Sequence, residues 1–126
     1  GDAAARDAAL RLDRALVNAR GPSIESLTRI AELSEGAGDV RAASEAWRTI
    51  GDVERDGSVI WHRAKYEFLR LLADSDGAGA KAAVSQHMIL YPTGPEPWST
   101  KIKELGARLG VDPALQKAPA PQGGQR

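Results

Sequence analysis

The sequence contains no cysteine, which excludes disulfides, thiolate metal sites and cysteine nucleophiles in one step. Aromatic residues are few, with three Trp, two Tyr and one Phe, so any core must rest on aliphatic side chains and alanine. No apolar run approaches the roughly 18 residues that a membrane span requires. A surplus of either charge is missing too. The chain has 17 Lys+Arg against 17 Asp+Glu, so no basic excess invites nucleic acid or an anionic membrane surface. A mild tilt exists, with 8 basic and 11 acidic residues over 1–57 and 9 and 6 over 58–126, which reads as ordinary solvated surface. The opening Gly1-Asp2-Ala3-Ala4-Ala5 has neither a basic flank nor an apolar stretch, so it does not read as a signal peptide. A leading glycine without methionine suggests one piece of a longer protein. The lack of cysteine leaves a cytoplasmic and a periplasmic location equally open.

What remains is ordinary for a globular chain of 126 residues, 42% of them hydrophobic and 27% charged. That length suffices for one continuous core. Helix-period patterns fill the sequence before residue 111. The first, near 2–19, sets Ala5, Ala9, Leu12, Leu16 and Ala19 on one stripe, and Gly21-Pro22 stops it. Ser23 is an N-cap, with Ser26 rather than Glu at the capping-box position. The second helix runs to about Glu35 with Ile24, Leu27, Ile30, Ala31 and Ser34 inward. Gly36-Ala37-Gly38 ends it, and Asp39 caps a third helix carrying Val40, Ala43, Trp47, Ile50 and Val53.

Ser58 caps a fourth helix, about 59–73, whose apolar residues cover most of its circumference, as suits a helix packed on several sides. The run Asp74 to Gly79 reads as a turn. A fifth helix, about 78–91, points Ala80, Ala83, Val84, His87 and Tyr91 one way, and Pro92, Gly94, Pro95 and Pro97 end it. A sixth places Trp98, Ile102, Leu105 and Leu109 on one face. Residues 111–126, rich in Pro, Gly and Gln, read as a disordered tail. No stretch demands a strand. Short loops make consecutive helices antiparallel, so the expected fold is all-α, a stack of helical hairpins.

Chemistry leaves few traces. His62 and His87 sit 25 residues apart with no metal-binding or acid–base spacing around them. Structural imidazoles are the expected reading for both. The pairs Gly36/Gly38 and Gly77/Gly79 follow no strand and read as helix breakers rather than phosphate loops. Ser58, Ser85 and Ser99 lack a base at recognisable spacing. Glu32, Glu35 and Asp39 crowd a turn, where solvation and N-cap duty account for them. No catalytic residue, cofactor or metal ligand is expected.

Periodicity carries more. The caps Ser23 and Ser58 lie 35 residues apart, and the next equivalent break, near Pro95, follows 37 later. Within one such unit the chain reads Leu27, Ala31, the Gly38-Asp39 turn, Ala43 and Trp47. The next reads Trp61, Ala64, Phe68, Ala80, Val84 and Tyr91-Pro92. This pattern resembles the tetratricopeptide repeat, a family with a period near 34 residues and two helices per unit. The stretch from Asp56 to Leu109 resembles the closing repeats of large bacterial proteins of that family. The matching elements are Asp56-Gly57-Ser58, Trp61, Ala64-Lys65-Tyr66, Leu71-Leu72-Ala73, Gln86-His87, Leu90-Tyr91-Pro92, Gly94-Pro95-Glu96-Pro97-Trp98 and Lys101 to Leu105.

The resemblance implies a right-handed superhelix of about six helices over 1–110. It divides as a partial repeat 1–22, repeats 23–56 and 57–94, and a capping helix 95–110. The function it implies is non-catalytic: an interaction or scaffold domain of a longer bacterial protein. Alternatives are a structural C-terminal cap, or an accessory domain of an enzyme or membrane-anchored protein. The partner is then a protein or peptide, without nucleic acid and without membrane insertion. The first helix lacks a preceding mate and offers a face for self-association. Also by the resemblance, the concave groove is lined from helices two, four and six, by Glu25, Thr28, Glu32 and Glu35, then His62, Lys65 and Leu69, then Lys101 and Arg108. Trp47 and Trp98 are expected in the core, while Trp61 belongs either to the core or to that groove.

Overall fold

The computed structural model describes residues 2–21 and 23–114. The expected tail from residue 115 onward lies outside the described residues. Among these, six α-helices and no strand occur: α1 Asp2–Arg20, α2 Ile24–Gly36, α3 Val40–Val53, α4 Val59–Ser75, α5 Gly77–Leu90 and α6 Trp98–Leu109. The all-α reading holds.

Local chemistry sets most of the boundaries. Ser23 Oγ accepts from the Ser26 amide at 3.1 Å, Asp39 Oδ1 from Ala42 at 3.0 Å, and Ser58 Oγ from Trp61 at 3.2 Å. Each satisfies one of the orphan N–H groups of a first helical turn. Asp76 does the same for α5, accepting from the Gly79 amide at 2.9 Å. The cap pulls Gly77 to Gly79 into the first turn of α5, where the sequence pattern reads them as a break. At the far end α6 closes with Gly110 at φ 84°, an angle costly for any residue with a Cβ. The Gly110 amide then donates to Ala107 O, and the Val111 amide to Gly106 O. These two bonds form a Schellman closure, and it folds Val111 onto the helix. Val111 is 5% exposed, so ordered core extends one residue into the stretch read as tail.

The contacts divide the chain into two compact units, 1–65 and 66–126. The division falls within α4, whereas the repeat borders read from the sequence fall at 22/23, 56/57 and 94/95. In the first unit α1 packs on α2, and α2 on α3. In the α2–α3 hairpin the small residues Ala31, Ser34 and Ala43 are 0% exposed, as is the larger Ile50, and Trp47 is 3% exposed. Trp61 and Ala64, on the first turns of α4, are also buried. Trp61 is thus a core residue.

In the second unit Leu69 of α4, Val84 and Met88 of α5, Ile102 and Leu105 of α6, and Val111 form one core. Tyr66, Phe68, Leu72, Ala73, Ala83 and Leu109 are packed against it, half-buried. α5 packs on α6, closely enough that a Cβ on Gly106 would stand 2.9 Å from Met88 Sδ and 3.3 Å from Val84 Cγ1. Trp98 is half-buried, its ring 6.1 Å from that of Tyr66.

Two stripes differ from expectation. On α1 the buried residues are Leu10 and Asp13, with Arg6 and Val17 half-buried on the same face. Leu12 is instead 63% exposed, and Ala5 and Ala19 are exposed with it. The inward face is set by Asp13, which Arg29 of α2 holds through three hydrogen bonds. On α3 the stripe keeps Ala43, Trp47 and Ile50 but leaves Val40 and Val53 exposed at its ends.

Candidate functional site

The nine groove positions fall on both sides of the division, six in the first unit and three in the second. In the first unit Glu25, Thr28, Glu32 and Glu35 recur at spacings of three and four along α2, so they share one face. Glu25 and Glu32 are exposed, and Thr28 and Glu35 are half-buried. Thr28 Oγ1 donates back to Ile24 O at 2.7 Å. This face runs opposite the buried Leu27, Ile30, Ala31 and Ser34.

The start of α4 borders that face. Arg63 Nη2 donates to Glu32 Oε2 at 2.9 Å, and its guanidinium lies 4.9 Å from the Trp47 ring centre. One side chain of α4 therefore touches both helices of the α2–α3 hairpin. A guanidinium suits that task because its plane stacks while its edge donates. Lys65 lies 5.3 Å over the Trp61 ring, and its Cε is 3.8 Å from where a Cβ on Gly51 of α3 would sit. Arg63 was not among the expected groove residues. Its signal was available, since it stands two positions from Trp61 and Lys65 on either side and opposite acidic α2.

Two expected groove residues are buried instead. His62 is 6% exposed, its ring edge-on to Trp61 at 4.9 Å, and burial pushes its imidazole below the ordinary value because the charged form loses water. Leu69 is 5% exposed, inside the core of the second unit. The cause is common to both: α4 is packed on more than one side, so its few outward positions are not those that a single stripe predicts.

In the second unit Lys101 and Arg108 are exposed on α6. The Lys101 ammonium lies 5.7 Å from the Tyr66 ring centre and 5.9 Å from that of Trp98, near the outer limit for a cation–π contact. On α5 the His87 ring is half-buried and lies 5.2 Å from Tyr91.

Among the described residues no three His, Asp or Glu side chains gather as a metal would need, and no helix is long and apolar enough to cross a membrane. The outward positions of α2 and the start of α4 thus offer a ridge of fixed charges over aromatic rings. Such a surface can pair with polar and charged groups of a peptide. Comparison with family models, with curated proteins and with solved structures finds no match to this chain.

Proposed function

We propose that the chain is a non-catalytic protein-interaction module of the tetratricopeptide kind, part of a longer bacterial scaffold, taking a protein or peptide along α2 and the start of α4. The observation that carries this reading is the Arg63 bridge. Through it the start of α4 touches both helices of the α2–α3 hairpin, a contact of the kind that stacked repeats would use. The α2 ridge of Glu25, Thr28, Glu32 and Glu35 is left facing solvent beside that junction. Its carboxylates favour a partner that carries basic residues.

A second reading is favoured by the polarity of the same ridge. Large exposed apolar side chains lie off α2, at Leu12, Val53, Ile89 and Leu90 among others, with Val59 and Ile60 on the first turn of α4. A polar ridge with apolar edges also suits a structural end of a superhelix, whose contacts are with the rest of its own chain.

A peptide array separates the two. It is probed with the wild type and with a Glu25→Lys, Glu32→Lys variant, at low and at high salt. The interaction reading expects a set of basic peptides that binds the wild type, weakens in salt and is lost in the variant. If both proteins bind the same peptides, or neither binds any, that reading fails and the structural end stands.

A further inference from the structure

We propose that Asp56-Gly57 is a site of spontaneous modification, where the chain rearranges through a cyclic imide to an isoaspartyl link and loosens the start of α4. An aspartate followed by glycine is the step most open to this chemistry, because glycine has no Cβ to keep the side-chain carboxyl off its amide. The sequence contains two such steps, Asp56-Gly57 and Asp76-Gly77. Their surroundings differ.

Asp56 and Gly57 are exposed at the centre of a turn between α3 and α4. The Ser58 amide closes the turn by donating to Arg55 O at 3.1 Å, with Gly57 at φ 86°. That bond spans the two central residues and does not use the amide between them. Capping of α4 falls to Ser58, so the Asp56 carboxyl has no such duty. Asp76 is held at three points. Its carboxylate accepts from the Gly79 amide at 2.9 Å, its amide donates to Leu72 O at 2.7 Å, and its carbonyl accepts from the Ala80 amide at 2.9 Å. Gly77 is the first residue of α5. To react, Asp76 has to give up its cap and swing a peptide group that the helix holds.

The reaction needs only water. The Gly57 nitrogen bonds to Asp56 Cγ, and the amide proton and the carboxyl hydroxyl leave together as water. Water then reopens the ring. Attack at Cγ breaks the new bond and restores aspartate. Attack at the main-chain carbonyl breaks the original peptide bond, and the chain then runs through Cβ and Cγ. The mass is unchanged, and the backbone is one methylene longer just before Ser58, whose hydroxyl caps the first turn of α4 at the Trp61 amide.

Trypsin separates the two sites, into residues 56–63 and 71–81. After warm incubation of the folded protein at neutral pH, the first peptide should divide into two peaks of equal mass, one of them a substrate for an isoaspartyl methyltransferase. The second should do so about tenfold more slowly, the factor expected from losing a cap and a helical hydrogen bond together. In urea the two should react at similar rates. Asp56→Glu keeps the charge but closes the ring poorly, so it should form no isomer at this position and should hold its thermal midpoint on incubation while the wild type loses some. Absence of the isomer at Asp56, or equal rates at the two sites in the folded protein, overturns the proposal. A rate difference that persists in urea overturns its assignment to the fold. An isomerised protein with an unchanged midpoint overturns the loosening of α4.

Discussion

Arg29 grips Asp13 at both carboxylate oxygens, its Nε donating at 3.0 and 3.1 Å and its Nη2 at 2.8 Å. The pair is lopsided. Asp13 is 3% exposed, whereas half of the Arg29 side chain remains in water. The hydrogen bonds to Asp13 raise Arg29 above its ordinary value, so the guanidinium is charged throughout. Removing either partner does not cost the same, because a stranded buried carboxylate has no water to turn to while a stranded Arg29 does. Arg29→Ala is therefore expected to lower the thermal midpoint clearly more than Asp13→Asn, which keeps one acceptor and removes the charge. Equal losses in the two variants, read by circular dichroism melts, would show that burial does not set the strength of this pair.

The same pair explains what the sequence could and could not reveal. Helix content was legible because caps are local: Ser23, Asp39 and Ser58 bond to amides three residues on, and spacing exposes that. The inward stripe of α2 was legible because its apolar residues have a single period. On α1 two apolar faces compete, one through Leu10 and Val17 and one through Leu12 with its alanines. Asp13 decides between them only through Arg29, sixteen residues away. Spacing cannot express that contact. The outward face of α2 was legible for a similar reason, and that of α4 was not. His62 and Leu69 look outward on a wheel and are buried because α4 is covered on more than one side.

Ser34 contributes a second test. It is 0% exposed at the contact of α2 with α3, and its hydroxyl has no hydrogen-bond partner among the described residues. An unpaired buried hydroxyl costs about 1–3 kcal/mol. Alanine is nearly isosteric and a better helix former. Ser34→Ala is expected to raise unfolding stability by about 1 kcal/mol, measured as a higher urea midpoint at unchanged slope. A loss of stability would mean that the hydroxyl is bonded in solution.

Gly106 and Gly51 lie inside helices and give opposite expectations for the same change. An alanine at either position gains about 1 kcal/mol of helix propensity. At Gly51 the new Cβ would meet only Lys65 Cε, at 3.8 Å, so Gly51→Ala should stabilise by about that amount. At Gly106 it would press on Met88 Sδ at 2.9 Å and Val84 Cγ1 at 3.3 Å. Met88 can swing, but the branched Val84 cannot, and overpacking costs about 1–3 kcal/mol. Gly106→Ala should therefore be neutral to destabilising, and Gly106→Val should disrupt the second unit. Stabilisation by Gly106→Ala as large as that by Gly51→Ala would contradict the close approach of α5 and α6.

His62 makes stability depend on pH in a defined direction. Desolvation holds its folded-state value below the ordinary 6.5, which is close to what the unfolded chain retains. Well above 6.5 both states are neutral at this residue, and the contribution of its burial is complete. As pH falls through that value, the unfolded chain takes up a proton that the folded chain still refuses, so the balance shifts toward unfolding. The decline continues until the depressed folded value is passed. Urea midpoints measured one pH unit above and one below 6.5 should therefore drop on acidification in the wild type. His62→Leu removes the titrating group and keeps an apolar side chain against Trp61, so its drop should be smaller. Equal drops in the two proteins would mean that other groups govern the response and that His62 is already protonated, or hydrated, in the folded state.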